Sequence, residues 1–177
     1  CSQSRGLGDV YKRQKKKDYE NMLSKFLNVN NFIWLHKGIK GDDTHGHIDD
    51  ICRFVSPDTI MTAIENNKKD VNYKILQTNL NILKKAKNIN GKNFNLIKIP
   101  MPKAIFINKI RVPASYLNFL ICNKSVLLPL FNDKNDKVVI KIFKKFFKTR
   151  KVIGIDCTNL IWGFGAIHCM TQSEPSV

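Results

Sequence analysis

The sequence predicts an α/β fold with mixed strand pairing, built from a strand–strand–helix–strand unit that occurs twice. Successive segments of the chain have apolar residues at the spacing typical of strands and then at the spacing typical of a helix. The same order of predicted elements returns after about sixty residues. The chain has 177 residues, of which 43% are hydrophobic, and this suits one domain with a buried core. The pattern indicates a layered α/β protein and leaves open whether the sheet is open or closed into a ring.

The first copy of the unit begins with a hairpin. Residues 48–55 and 59–64 are predicted to be its two strands, joined by a Ser-Pro-Asp turn. Residues 70–88 carry apolar side chains at intervals of three or four positions, which predicts a helix. Residues 94–99 are then predicted to form the third strand of this unit.

The second copy repeats this order. Residues 116–121 and 126–130 are predicted to form a hairpin, residues 136–148 an amphipathic helix, and residues 151–156 the returning strand. Residues 166–171 are predicted to be the first strand of another unit.

Four segments lie outside these units. Residues 15–28 are predicted to form an amphipathic helix, residues 32–35 a short strand, and residues 105–111 an extended segment. Residues 1–14 share nothing with the rest of the chain, and we expect them to be a cloning or assembly scar. The predicted domain is therefore residues 15–177.

The net charge of +16 raises the possibility of a nucleic-acid or anionic partner. The lysines are spread over the predicted helix faces and form no stripe interleaved with aromatic residues, so an obligatory nucleic-acid partner is not expected. A non-catalytic basic binding protein remains the alternative of another class. No apolar run approaches the roughly eighteen residues of a membrane span, so no membrane partner is expected.

The cysteines favour a reducing compartment. Their number is odd and none form a C-x-x-C pair: Cys1, Cys52, Cys122, Cys157 and Cys169. This pattern is typical of free thiols in a cytosol-like compartment. His45 and His47 could bind a metal from one strand face, but they lack a second ligand cluster, so no metal site is expected.

One thiol has the setting of a nucleophile. Cys169 follows a small-residue turn that contains Gly163 and Gly165, and glycines permit close approach of the backbone. Residues 41–50, with the sequence GDDTHGHIDD, supply histidines and carboxylates far upstream. A catalytic cysteine and its histidine need proximity in space and not in sequence, so the two segments are candidates for one site.

These segments resemble the motifs of one family. Residues 41–50, followed by the Arg-Phe-Val of residues 53–55, resemble the histidine motif of agmatine deiminases. Residues 114–119 (ASYLNF) and residues 163–172 (GFGAIHCMTQ) resemble two later motifs of the same family, which also contains bacterial peptidyl-arginine deiminases. The resemblance runs from about residue 31 to the last residue, in order and without a large gap.

The resemblance implies roles for individual residues. Cys169 matches the nucleophile and His47 the general acid and base. Asp49, two residues further on and on the same predicted strand face, matches a carboxylate that grips the guanidinium group. The remaining residues implied to bind substrate shape the nucleophile loop or support the site by hydrogen bonding: Gly163, Gly165 and Asn118.

Other residues near the motifs receive lesser roles. His168 is expected to point to the face opposite the nucleophile and to be structural, and Arg53 is not assigned to substrate. The acidic residues expected to act as loop or supporting groups are Asp42, Asp43 and Asp50. Phe164 and Ala166 interrupt the glycine run that the family typically has before its Ile-His-Cys.

The resemblance also implies a fold and an activity. The fold is an α/β propeller, a ring of five ββαβ units of the pentein type, of which this chain would form a partial, incomplete ring. The activity is conversion of agmatine and water to N-carbamoylputrescine and ammonia through a covalent amidino-cysteine intermediate, in putrescine and polyamine biosynthesis, in the cytoplasm. It needs no metal or organic cofactor, and peptidyl-arginine is the alternative substrate. The other guanidinium-binding carboxylates would lie upstream, so the chain alone is expected to be inactive. The oligomeric state is left open.

Overall fold

The computed structural model describes residues 16–44 and 46–174. The chain divides into two compact units, Cys1–Trp34 and Leu35–Val177. In the first unit, helix α1 (Lys16–Leu27) confirms the predicted amphipathic helix. The expected scar, residues 1–14, lies outside the described residues. Within the part of the chain that is described, no helix is both long and apolar enough to cross a membrane.

The predicted strand at residues 32–35 is wrong, since none of these residues belongs to a strand. The Trp34 indole instead donates a hydrogen bond to Glu20 of α1 at 2.7 Å, and its ring lies edge-on to Tyr19. The side chain therefore packs back on the preceding helix, and no neighbouring strand is needed.

The first ββαβ repeat forms as predicted in order and nearly in bounds. Strand β1 (Cys52–Ser56) pairs antiparallel with β2 (Thr59–Ile64), helix α2 (Asn72–Lys85) crosses over, and β3 (Asn95–Pro100) pairs parallel with β2. Parallel strands need such a crossover.

A short β-hairpin with a two-residue turn comes next in the chain. The segment predicted to be extended contains strands β4 (Phe106–Ile107) and β5 (Ile110–Arg111), paired antiparallel. The turn residues Asn108 and Lys109 have φ angles of 48° and 66°. Positive φ at both central positions matches the twist of the flanking strands in short hairpins.

The second repeat has the same topology. Strand β6 (Leu120–Ile121) pairs antiparallel with β7 (Ser125–Leu130), helix α3 (Asn135–Phe146) crosses over, and β8 (Lys151–Asp156) pairs parallel with β7. The twofold occurrence of the unit is therefore confirmed for the described residues.

The repeats share one hydrophobic core. Met61 and Leu76 of the first repeat and Leu128 and Phe143 of the second all have at most 1% of their surface exposed. Phe119 stacks edge-on against Phe143 at 4.9 Å between ring centroids. The motif segments flank these repeats, because residues 41–50 precede β1, residues 114–119 lie between the repeats, and residues 163–172 follow β8.

The strand predictions fail at three places next to these motifs. Ile48–Asp50 is a 3-10 helix and β1 starts only at Cys52, residues 116–119 precede the strand β6, and residues 167–170 form a turn. Side chains supply part of the hydrogen bonding there that a neighbouring strand would supply. The Asn118 side-chain oxygen, for example, accepts three backbone N–H groups between residues 166 and 169.

Candidate active site

The nucleophile candidate lies on a tight turn that depends on a glycine. A 3-10 helix, Leu160–Gly163, leads through Phe164 and Gly165 to Cys169, whose side chain is exposed. A Cβ atom at residue 165 would lie 2.6 Å from Cys169 Cβ and 3.1 Å from Sγ, so only glycine fits at this position. A Cβ at Gly163 would meet nothing within 4 Å. Gly163 therefore lines the site without being needed sterically.

Asn118 is the hub of the site. Its side chain is buried, with 1% exposed, and Oδ1 accepts the backbone N–H groups of Ala166, His168 and Cys169 at 3.0–3.2 Å. Three donors facing one atom fix the orientation of the amide. Nδ2 therefore faces Asp49 and Asp50, and it also lies 2.9 Å from Cys169 Sγ.

Asp49 presents a carboxylate beside the thiol. Its Oδ2 accepts from Asn118 Nδ2 at 3.0 Å, lies 2.7 Å from His168 Nδ1, and is 3.5 Å from Cys169 Sγ. Among the described residues no hydrogen bond reaches its Oδ1, although the side chain is only 15% exposed. One carboxylate oxygen is held by the protein, and the other remains available to a ligand. Asp49 lies in the 3-10 helix, so the strand alternation expected to align it with His47 is wrong.

His168 is the clearest correction to the sequence-based expectations. Its imidazole does not turn to the opposite face, because Nδ1 bonds to Asp49 Oδ2, and its backbone N–H is held by Asn118. The reason is that residues 167–170 form a turn, in which the alternation of a strand does not apply. His168 thus belongs to the site.

His47 is oriented by a buried carboxylate. Its Nδ1 lies 2.9 Å from Asp42 Oδ1, and its backbone N–H donates to Asp42 Oδ2 at 2.8 Å. Burial opposes ionisation of Asp42, but the hydrogen bonds from His47 and Thr44 outweigh it and hold the pKa of Asp42 below its usual value. An ionised Asp42 favours a proton on Nδ1 and leaves Nε2 as the exchanging nitrogen of His47.

These groups surround one cavity of about 420 Å³. Of the residues predicted to act in catalysis or substrate binding, only Asn118 does not line it. The lining residues are Asp43, His47, Asp49, Leu160, Gly163, Phe164, Gly165, Cys169 and Met170. Asn118 holds Asp49 and Cys169 from the buried side. The two motif segments, more than a hundred residues apart, therefore meet as the sequence suggested, while their catalytic roles stay predictions.

The surroundings of Cys169 favour the protonated thiol over the thiolate. Burial raises the pKa of Cys169, the hydrogen bond from Asn118 opposes this, and the charges of Asp49 and Asp50 raise the pKa further. A positive charge in the cavity would favour the thiolate by the same Coulombic rule.

Asp42, Asp43 and His47 place one ligand atom each within 4.8 Å of one another, which is the closest approach to a metal site in the described residues. Both oxygens of Asp42 already accept hydrogen bonds from Thr44 and His47. Asp42 is therefore already engaged in positioning His47. His45, the other histidine considered for a metal, lies outside the described residues.

Phe164 adopts a backbone conformation that favours glycine. Its φ and ψ are 61° and 20°, in the left-handed region. A Cβ costs about 1 kcal/mol in this region. We therefore expect the free energy of unfolding of Phe164→Gly to be higher than that of Phe164→Ala by about this amount. Urea denaturation of the two variants measures this difference. Equal stabilities, or the usual preference for alanine, would contradict it.

Asp50 is expected to make stability depend on pH. Burial, the charge of Asp49 and, more weakly, that of Asp42 raise its pKa to about 8, against an opposing hydrogen bond from Asn118. Because the pKa of Asp50 is higher in the folded than in the unfolded state, its protonated carboxyl contributes to the free energy of unfolding. This contribution is fully present below about pH 4 and is lost as the pH rises through about 8. Asp50→Asn should therefore make the free energy of unfolding fall less between these values. Asp43→Asn, an exposed neighbour, is the control and should leave the slope of the wild type.

The comparisons with known proteins agree with this architecture. The profile of the Porphyromonas-type peptidyl-arginine deiminase family matches residues 11–175. A Legionella pneumophila (strain Paris) protein named "Putative agmatine deiminase" is 34% identical over 161 residues, which make up 90% of this chain and 46% of that protein. Agmatine deiminase of Enterococcus faecalis superposes with a TM-score of 0.86 at 28% identity, covering 93% of this chain and 50% of that one. A Cys-to-Ser variant of C. jejuni agmatine deiminase with substrate bound gives 0.81 at 32% identity, covering 89% and 46%.

Fold and comparisons together define an α/β protein of the pentein type, as the sequence predicted. The chain belongs to the Porphyromonas-type peptidyl-arginine deiminase family, whose relatives include the agmatine deiminases. It spans about half the length of the curated relatives that it matches.

Proposed function

We propose that the protein is an agmatine deiminase-like hydrolase, and that this chain carries the part of the active site that performs covalent chemistry. One observation carries the proposal: Cys169 Sγ lies within 3.5 Å of Asp49 and 2.9 Å of Asn118, in a cavity that His47 also lines. A thiol, a carboxylate and an imidazole around one cavity suit attack on a planar cation.

In the proposed first step the guanidinium of agmatine lies between Asp49 Oδ1 and the thiol. Its positive charge lowers the pKa of Cys169, the thiol releases its proton to solvent, and the resulting thiolate forms a C–S bond with the guanidinium carbon. The C–N bond to one terminal nitrogen then breaks, and that nitrogen leaves as ammonia after taking a proton from His47.

In the second step water replaces the sulfur. His47 removes a proton from the water, the new C–O bond forms, and the C–S bond breaks to return the thiolate. The remaining hydroxyl proton passes to solvent as the C=O bond of the product forms. The product is N-carbamoylputrescine, which would serve putrescine and polyamine biosynthesis. The carboxylate of Asp42 favours a proton on Nδ1 of His47, which keeps Nε2 for both transfers. The mechanism assigns no step to a metal or organic cofactor.

Agmatine is the first choice of substrate because relatives of this chain are named agmatine deiminases, one of them solved with its substrate bound. The alternative is a peptidyl-arginine, which the name of the matching family favours. Both substrates present the same guanidinium to the thiol and differ at the far end.

Protection of Cys169 tests the proposal on this chain. Agmatine should slow the alkylation of Cys169 by iodoacetamide and leave Cys122 unchanged, as followed by peptide mass spectrometry. Putrescine, which has no guanidinium, is the matched control, and a short peptide with an internal arginine tests the alternative substrate. Equal protection by putrescine, or no protection by any guanidinium compound, would favour the non-catalytic basic binding protein.

We further propose that the chain alone does not turn over. Asp49 is the one carboxylate among the described residues that bonds to Cys169 Sγ, and a desolvated guanidinium needs more than one carboxylate partner. Incubation with agmatine should release no ammonia above that from Cys169→Ala. Turnover comparable to that of an intact relative would contradict this proposal.

We also propose a cytoplasmic location. All four cysteines among the described residues are free thiols, which is typical of a reducing compartment.

A further inference from the structure

Arg53, in strand β1, reaches out of the first repeat to the segment that carries Asn118. Its Nη1 donates to the backbone carbonyl oxygen of Phe119 at 2.9 Å and to that of Leu117 at 3.3 Å. The guanidinium also lies over the Phe119 ring, 4.8 Å from its centroid. These two carbonyl groups belong to the residues immediately before and after Asn118.

The side chain has no carboxylate partner. Among the described residues no ion pair involves Arg53, although the group is half-buried. Burial lowers the pKa of Arg53, while the charges of Asp49, Cys52 and Cys169 oppose this effect. A half-buried cation is thus held by two carbonyl oxygens and a ring, close enough to Asp49 and Cys169 to interact with both.

The rest of the connection runs through Asn118. Its Oδ1 holds the turn that carries Cys169, and its Nδ2 faces Sγ. Leu117, Asn118 and Phe119 belong to no strand in this structure, so β-ladder hydrogen bonds do not hold them. Hydrogen bonds with Ser115 and His168 hold Leu117 and Asn118 from one side. Arg53 adds bonds to the carbonyl groups on both sides of Asn118.

We propose that Arg53 is a positioning residue of the candidate active site, which acts on Cys169 by fixing the backbone on both sides of Asn118. The inference rests on the proposed function only in treating Cys169 as the reacting group. It explains why a guanidinium, and not an ammonium, occupies this position. The planar guanidinium lies over the aromatic ring while Nη1 donates to both carbonyl oxygens, and the tetrahedral ammonium of lysine has no flat face to place on the ring.

The pH dependence of Cys169 alkylation tests this role without turnover. In Arg53→Lys the charge is kept but the planar group over Phe119 and the geometry of its two hydrogen bonds are lost, so Asn118 should no longer direct its N–H at the sulfur. We expect the midpoint of the alkylation profile to rise by about one pH unit, which makes alkylation about tenfold slower below the midpoint. Arg150→Lys is the matched control. Arg150 is also a half-buried arginine, and its Nε donates to the backbone carbonyl oxygen of Cys122, a residue distant from it in sequence. Its profile should match that of the wild type.

A double-mutant cycle separates positioning from a general structural effect. In an Asn118→Ala background, Arg53→Lys should shift the profile no further, because the residue through which it acts is gone. The same shift in both backgrounds, or a lower melting temperature with an unshifted profile, would overturn the proposal. Failure of agmatine to protect Cys169 would refute the proposed function and leave this cycle unaffected.

A measurement on the wild-type chain is independent of how the variants fold. A guanidinium held by two carbonyl groups should rotate slowly and give separate Nη signals for Arg53 in an NMR spectrum. One averaged signal for Arg53 would contradict the proposal even if Arg53→Lys failed to fold.

Discussion

Asn118→Asp is expected to destabilise the protein by about 3 to 5 kcal/mol at about pH 8, the range for an uncompensated buried charge. The new oxygen would replace the Nδ2 donor and face Asp49 and Asp50, at distances that are now 3.0 and 3.1 Å. Oδ1 would still accept the three backbone N–H groups, so shape and acceptor are kept and only the donor is lost. Three carboxyl groups would then share one buried space.

The effect should shrink as pH falls. Carboxylates crowded in this way have raised pKa values in the folded state, so their protonation at about pH 4 restores stability. Urea denaturation at both pH values measures the difference. The control is Asn88→Asp, because Asn88 Oδ1 likewise accepts two backbone N–H groups, from Asn90 and Lys92, while its Nδ2 donates to none of the described residues. A pH-independent loss in Asn118→Asp equal to that in the control would contradict the account of the hub.

Asp49→Asn is expected to remove the preference of Cys169 for cationic reagents. A haloacetamidine is planar and positively charged like a guanidinium, and iodoacetamide is its neutral counterpart. A charge-assisted hydrogen bond to Asp49 Oδ1 should favour the amidine by about 10- to 100-fold in the wild type. Without the negative charge the ratio of the two rates should approach that of the other thiols. Peptide mass spectrometry follows all the cysteines in one experiment.

The control removes the same charge from the rim of the same cavity. Asp43 lines the cavity but lies 3.8 Å from His47 and makes no bond to Cys169. We expect Asp43→Asn to keep most of the preference. If both variants lose it equally, the selectivity reflects the overall field around the cavity, and Asp49 is not the group that grips the cation.

The sequence predicted the pair of segments that meet at the site but not the way they meet. A thiol after glycines points to Cys169, and the resemblance of the acidic histidine segment to a family motif points to Asp49. His168 and Asp42 were given minor roles because their importance lies in contacts with Asp49 and His47. The position of His168 next to Cys169 in the sequence is a signal that could have predicted its place in the site, because an imidazole there needs a hydrogen-bond partner.

The local sequence determined the two ββαβ repeats, because apolar periodicity and turn residues act over short stretches of chain and agree with each other. It also indicated candidates for the chemistry, because the segments that contain Cys169, His47 and Asp49 resemble the motifs of a known family. Only the tertiary structure decided that the motif segments are turns and a 3-10 helix. There the backbone N–H groups of residues 166, 168 and 169 bond to Asn118, some fifty residues away, and a bond to a distant side chain leaves no periodic trace in the sequence.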